Sequence, residues 1–184
     1  IPIESGTWTL YVYDWASPDG GTLANWSMTI VNPVVTNVCD GNLNTTGAPA
    51  VMTTTGSVSL AQNFAGGANE MILHVEQLPL NVFGYFVMGN ACNQVVIQNP
   101  LSQGVVCVGG RTVRGLGNQI VSSGLTGTVT LPAQLYNLPG NNGFPTGLPA
   151  VAGQRIYTQF WFRDNNMGMP GSNLSNALFF IVRP

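Results

Sequence analysis

Short apolar runs of strand length, separated by turn-forming clusters, constrain the fold of this chain more than any other feature. Clusters rich in Gly, Asn and Pro interrupt the runs at short intervals, and no segment shows a helical period. Many short strands with this punctuation predict an all-β protein, an antiparallel β-sandwich of jelly-roll-like form. After residue 37 the predicted strands are residues 58–60, 71–76, 82–88, 104–108, 126–131, 155–162 and 176–183.

The first 32 residues contain two further strand-like runs, residues 7–13 and 25–30, joined by a turn-rich loop at 14–21. Alternation places large apolar side chains on one face of each run. An isolated hairpin is marginally stable in water, so these side chains need a core that the hairpin does not supply. We expect the missing strands to come from an upstream part of a longer polypeptide or from a neighbouring subunit. The predicted assembly interface is Trp8, Leu10, Val12, Trp26, Met28 and Ile30.

The same hairpin carries a family pattern. Residues 6–14 read Gly-Thr-Trp-Thr-Leu-x-Val-x-Asp, and residues 19–30 read Asp-Gly-Gly-x-Leu-x-x-Trp-x-Met-x-Ile. This order resembles the C-terminal end of a P domain (P/Homo B), a β-sandwich appended to kexin- and furin-like subtilisin proteases and to many secreted bacterial proteins. The resemblance implies that residues 1–32 are the C-terminal hairpin of a P-like domain.

The resemblance makes calcium the candidate metal, because some P domains bind it. Asp14 and Asp19 bracket the hairpin loop, where backbone carbonyl groups are also available, and Ca²⁺ prefers such oxygen ligands. The alternative is that each aspartate only stabilises a turn. A weaker second candidate is the Asp-Asn-Asn run at 164–166. There, the neighbouring Arg163 and Asp164 favour a structural ion pair at a strand end.

A second pattern begins after residues 33–36, which are predicted to be a linker because Pro33 breaks the preceding strand. The motifs are Cys-x-Gly-x-x-Asn-Thr-Thr-Gly-x-Pro-Ala at 39–50, Phe-Gly-Tyr-Phe at 83–86, Gln-Gly-x-x-Cys-Val at 103–108, Gln-Phe-Trp-Phe-Arg-Asp at 159–164 and Ser-Asn-Leu-Ser-Asn-Ala at 172–177. Their order is similar to a C-terminal module of large secreted proteins of planctomycetes and related bacteria. The resemblance implies that residues 37–184 form a β-rich extracellular module, and it implies no activity.

The cysteines of the chain bear on whether the protein is exported and on which disulfide it forms. Three cysteines allow three pairings and always leave one cysteine over, and disulfide formation is the usual role of cysteines in exported proteins. Cys39 and Cys107 fall where the resembling modules carry cysteines, so the resemblance implies a bridge between these two. The alternative is a Cys92–Cys107 bridge that closes a short loop. A zinc site is not expected, because the cysteines and His74 lack a Cys-x-x-Cys spacing.

Charge is scarce in this chain. Charged residues make up 7% of the sequence, there is no lysine, and the net charge is −2, whereas typical soluble proteins contain roughly 25% charged residues. Weak repulsion between molecules favours close packing into assemblies. The five arginines are scattered, so we expect no nucleic-acid partner. No apolar run approaches about 18 residues, so we expect no membrane span.

The single histidine limits the kinds of catalytic site that this chain could form. A Ser-His-Asp or Cys-His site would have to use His74. Alternation places His74 beside Glu76 on one face of a predicted strand, where a surface pair is expected. The sequence contains no Gly-x-Ser-x-Gly motif, and its seven acidic residues form no evident glycosidase pair. The sequence therefore predicts a protein that is not an enzyme.

Three glycosylation sequons, beginning at Asn25, Asn44 and Asn173, are present in the chain. They are meaningful only in a host with the corresponding machinery. The bacterial proteins that this chain resembles usually lack it.

These observations favour a non-catalytic structural or self-assembly module of a secreted or cell-surface protein. It would polymerise by strand or hairpin complementation, as a homo-oligomer or with the remainder of a larger polypeptide. The alternative is an accessory binding module, for carbohydrate or calcium, attached to a secreted subtilisin-like hydrolase. The carbohydrate candidates are Tyr11, Tyr13 and Trp15 on the outer face of the hairpin.

Overall fold

The computed structural model describes residues 35–61, 69–97, 102–110, 112–114, 120–135, 150–165 and 171–184. The chain divides into two compact units, Ile1–Pro33 and Val34–Pro184. The first unit lies outside the described residues. The fold that follows is that of the second unit.

The described residues form strands, turns and bends, with no helix among them. Each of the paired strands runs antiparallel to its neighbours. The strands in chain order are β1 (Val35–Cys39), β2 (Val51–Thr55), β3 (Ile72–Glu76), β4 (Phe83–Gly89), β5 (Ala91–Val96), β6 (Val105–Gly109), β7 (Val113–Arg114), β8 (Val121–Ser122), β9 (Val129–Pro132), β10 (Arg155–Arg163) and β11 (Ser172–Ile181).

The strands form two main sheets and a separate hairpin. A six-stranded sheet has the order β1-β11-β10-β4-β7, and β8 also pairs with β4. A three-stranded sheet has the order β2-β3-β9, and β5 pairs with β6. The prediction of an all-β, antiparallel, sandwich-like fold is confirmed.

The hydrophobic core lies between the two main sheets. Strand β10 alternates, so that Ile156, Phe160 and Phe162 are almost completely buried in the core. Phe86 of β4 packs edge-on against Phe160, with ring centroids 4.8 Å apart. Burial of one large apolar side chain contributes about 1.5–3 kcal/mol. This cluster, with Met52, Leu73 and Val75 from the smaller sheet, therefore stabilises the unit.

The β5–β6 hairpin packs on the other face of the six-stranded sheet. Phe160 points into the core, so its neighbour Gln159 points to the opposite face. There, Gln159 Oε1 accepts a hydrogen bond from the Cys107 backbone N–H at 3.0 Å, and Gln159 Nε2 donates to the Val105 carbonyl at 2.9 Å. Nε2 also donates to the Ser175 carbonyl of β11 at 2.8 Å. One fully buried amide thus joins β6, β10 and β11.

A disulfide fixes the same hairpin to the edge of the sheet. Cys39 at the end of β1 is bonded to Cys107 in β6, with the two Cα atoms 6.4 Å apart. Cys92 is a free, exposed thiol. The pairing is the one that the resemblance to secreted modules implied, and the alternative Cys92–Cys107 bridge is wrong.

Several sequence expectations differ from the structure. The predicted linker 33–36 is described only at Val35 and Thr36, and both belong to β1, which pairs with β11. Residues 58–60 form no strand; Ser59 makes only an isolated bridge to Arg183. Strands β1, β2, β5, β7 and β8 were not predicted. Strands β2 and β5 carry Thr, Asn and Gln instead of an alternating apolar pattern. Strand β11 begins earlier than residue 176, at Ser172.

Candidate functional site

The residues that the sequence assigned to assembly and calcium lie in the first unit. The predicted calcium ligands Asp14 and Asp19 lie outside the described residues, and these assignments stay predictions. The same holds for the carbohydrate candidates Tyr11, Tyr13 and Trp15 and for the six-residue interface, Trp8, Leu10, Val12, Trp26, Met28 and Ile30.

Asp164 is a structural carboxylate in a buried network. It is 5% exposed, and its Oδ1 accepts hydrogen bonds from the Thr45 backbone N–H at 3.2 Å and the Thr45 hydroxyl at 2.6 Å. Its Oδ2 accepts from Asn173 Nδ2 at 3.2 Å. The predicted Arg163–Asp164 ion pair is therefore wrong, because Asp164 is turned towards the loop after β1. Within the described residues, no group of three metal-ligating side chains occurs.

Two of the three sequon asparagines are buried hydrogen-bonding groups. Asn44 Nδ2 donates to the Gln77 carbonyl at 2.7 Å, and Asn173 Nδ2 donates to the Leu43 carbonyl at 3.0 Å. Both side chains are buried. A glycan would replace a hydrogen on these nitrogen atoms, so neither residue accepts one in the folded protein. The sequon at Asn25 lies outside the described residues.

Asn176 holds the two main sheets together. Its Oδ1 accepts from the Met52 backbone N–H, and its Nδ2 donates to the Met52 carbonyl at 3.0 Å. Met52 lies in β2 and Asn176 in β11. The Asn176 side chain therefore forms hydrogen bonds with both the backbone N–H and the carbonyl of a residue in the facing sheet. The motif asparagines Asn44, Asn173 and Asn176 thus stabilise the fold.

His74 lies between two threonines. Its Nε2 is 2.9 Å from the Thr55 hydroxyl, and its Nδ1 is 3.3 Å from the Thr130 hydroxyl. Both threonines belong to strands that flank β3. The imidazole therefore bridges three neighbouring strands. The expected pair with Glu76 is replaced by these hydroxyl contacts.

Among the residues that the structure describes, the best candidate for a binding site is a groove on the outer face of the six-stranded sheet. Its volume is about 650 Å³, within the range of roughly 300–1,000 Å³ that is typical of small-molecule sites. The lining residues belong to β4 and β10, together with the residue before β8. They are Phe83, Gly84, Tyr85, Ile120, Trp161 and Arg163.

Two stacked aromatic rings form the centre of this groove. Tyr85 and Trp161 are direct cross-strand partners in the pairing of β4 with β10. Their ring centroids are 4.8 Å apart and the planes differ by 26°. The Arg163 guanidinium carbon lies 5.3 Å from the centroid of the Trp161 ring, within the distance of a cation–π contact. Strand pairing and the cation–π contact therefore fix three of the lining side chains.

The rim of the groove is apolar and open to solvent. Phe83 is 59% exposed and Ile120 is 71% exposed. Exposed apolar side chains at the rim of a concave site are a feature of surfaces that bind a ligand or partner. The sequence offered one signal for this site, because residues 83–86 and 159–164 place aromatic side chains on both faces of their strands. What it did not provide was the register that pairs Tyr85 with Trp161.

Comparison of the chain with protein-family models, with curated proteins and with solved structures finds no match. The two family resemblances therefore stay predictions. In the part of the chain that the structure describes, no helix is long and apolar enough to cross a membrane.

Proposed function

We propose that this chain is a non-catalytic extracellular module that binds carbohydrate in the groove around Tyr85 and Trp161. The observation that carries the proposal is the stacked Tyr85–Trp161 pair beside an exposed arginine in a groove of about 650 Å³. This proposal moves the predicted carbohydrate site from the hairpin to the second unit.

The chemistry of the groove fits a sugar ring. A pyranose presents C–H groups that pack against aromatic and aliphatic side chains, and hydroxyl groups that need hydrogen-bonding partners. Phe83, Tyr85, Ile120 and Trp161 supply the apolar contact. Arg163 supplies several N–H donors. A small number of polar groups in a largely apolar concave site is the usual composition of a ligand site.

An extracellular location is supported by the disulfide. The Cys39–Cys107 bond joins residues 68 positions apart, and such structural disulfides persist mainly in oxidising compartments. The resemblance of residues 37–184 to modules of secreted proteins points the same way. A polysaccharide is an abundant polymer outside cells, so location and ligand agree.

The proposal is tested by glycan-array binding of the full chain and its Trp161→Ala variant. Loss of the indole removes the central contact surface, and we expect binding to weaken by at least about tenfold. The matched control is Tyr157→Ala, on the same strand. This variant also loses an aromatic ring, which packs 4.7 Å from the ring of Phe179. Tyr157 does not line the groove. If the array shows no bound glycan, or if both variants bind like the original chain, the proposal is wrong.

A second candidate function is self-association, favoured by the exposed strand β5. Among the described strands, β5 pairs only with β6. It carries no charged residue, and its Val95 and Val96 are exposed. A bulge between Cys92 and Val95 interrupts its pairing with β6, yet the Val95 end has neither charge nor proline to discourage pairing with another chain.

Self-association predicts oligomers that grow with protein concentration in light scattering. If β5 mediates it, Val96→Arg gives monomers because the new charges repel each other at the strand edge. If the hairpin mediates it, deletion of residues 1–32 gives monomers, while Val96→Arg has no effect. A chain that stays monomeric at all concentrations would contradict this function and leave carbohydrate binding unaffected.

A further inference from the structure

Among the described residues that line the groove, Arg163 is the only charged one. It ends β10 and is exposed. Its guanidinium lies over Trp161, and this contact limits the side-chain freedom that binding would otherwise cost. An arginine stacked on an aromatic ring keeps the N–H groups at its edge available for a planar acceptor.

The carboxylates of the described residues do not compete for this arginine. Asp164 follows Arg163 in sequence, but both of its oxygen atoms accept hydrogen bonds from Thr45 and Asn173. Asp40, Glu70 and Glu76, the other described acidic residues, do not line the groove. No described residue of the lining therefore compensates the positive charge of Arg163.

The hydrogen-bonding side chains of the groove are rich in donors. Arg163 and the indole of Trp161 carry N–H groups and no acceptor, and the Tyr85 hydroxyl is the one side-chain acceptor among the described lining residues. A peptide backbone would present as many N–H donors as carbonyl acceptors, and the lining side chains offer little to receive those donors. A ligand with excess acceptors and a negative charge fits better.

We infer that the groove selects acidic polysaccharides, in which pyranose rings carry carboxylates. This inference rests on the proposed carbohydrate function. The sugar ring packs against the apolar side chains that line the groove, and the carboxylate accepts paired N–H hydrogen bonds from Arg163. Arginine and carboxylate form such bidentate contacts with both geometric specificity and charge assistance.

The test compares two probes with the same sugar chain, tetragalacturonate and its fully methyl-esterified form, which lacks the negative charges, by isothermal titration calorimetry. We expect the acid to bind the full chain at least about tenfold more tightly than the ester, because charge-assisted hydrogen bonds are worth about that much.

Arg163→Gln should reduce this preference of the chain for the acid over the ester to near unity. Arg163→Lys should retain part of it, because lysine keeps the charge but lacks the planar fork. Arg155→Gln, at the other end of β10, removes the same charge outside the groove and should leave the preference intact.

The outcomes separate this inference from the proposed function. Equal binding of acid and ester, or an unchanged preference in Arg163→Gln, overturns the inference and leaves carbohydrate binding standing. Loss of the preference in Arg155→Gln also overturns it, because the effect would then be one of net charge. If neither probe nor any arrayed glycan binds, the proposed function fails and the inference fails with it.

Discussion

Replacing both Cys39 and Cys107 by serine is expected to lower the free energy of unfolding by about 4 kcal/mol. The disulfide closes a loop between residues 68 positions apart, and the entropy that such a cross-link removes from the unfolded chain increases with loop length. The bond also holds β6 against the edge strand β1. Its loss should therefore loosen the β5–β6 layer before the core between the main sheets.

Equilibrium denaturation in urea measures this effect, and Cys92→Ser is the matched control. Cys92 is exposed and unbonded, so its replacement should change the free energy of unfolding by less than about 0.5 kcal/mol. A double variant as stable as the original chain would contradict a structural role for the bridge. So would an equal loss in the Cys92→Ser control.

Asn176→Ala is expected to destabilise the protein by about 3 kcal/mol. The substitution leaves both the N–H and the carbonyl of Met52 without their side-chain partner. Asn176 is only 9% exposed, and buried polar groups that lose a partner cost free energy because water does not replace it. The two main sheets should then separate more readily along β2 and β11.

The matched control for this prediction is Asn37→Ala. Asn37 Oδ1 accepts from Asn176 Nδ2 at 3.4 Å, but Asn37 is exposed and water can take its place. We expect a loss below about 0.5 kcal/mol for this variant. Thermal or chemical unfolding of the two variants under the same conditions provides the comparison. Equal losses would show that Asn176 does not act through the buried Met52 groups.

The strands that the sequence predicted best are those with one apolar face. Residues 71–76 and 155–162 alternate mainly apolar core positions with mainly polar or aromatic outer positions, and they became β3 and β10. Burial of one face and period-two alternation are local properties, so a single sequence is enough to find them. The turn clusters between the runs have the same local character.

The polar strands and the groove depend on tertiary contacts that no local pattern encodes. The start of β11 reads Ser-Asn-Leu-Ser-Asn and is nevertheless buried, because Gln159, Met52 and Asp164 from distant segments satisfy its polar groups. Tyr85 and Trp161 are 76 residues apart in the sequence, and only the register of β4 with β10 brings them together. The disulfide pairing came from a resemblance, since three cysteines leave three pairings open.

The most direct measurement of the central claim is a titration of the ¹⁵N-labelled chain with tetragalacturonate, followed by the indole N–H signals in NMR spectra. The chain has four tryptophans, and the signal of Trp161 is identified by its absence from the Trp161→Phe spectrum. We expect the Trp161 signal to shift in a saturable manner, while those of Trp8, Trp15 and Trp26 stay in place. A saturable shift of Trp15 alone would return the carbohydrate site to the hairpin. That result, or four unchanged signals, would contradict binding of an acidic polysaccharide in the groove.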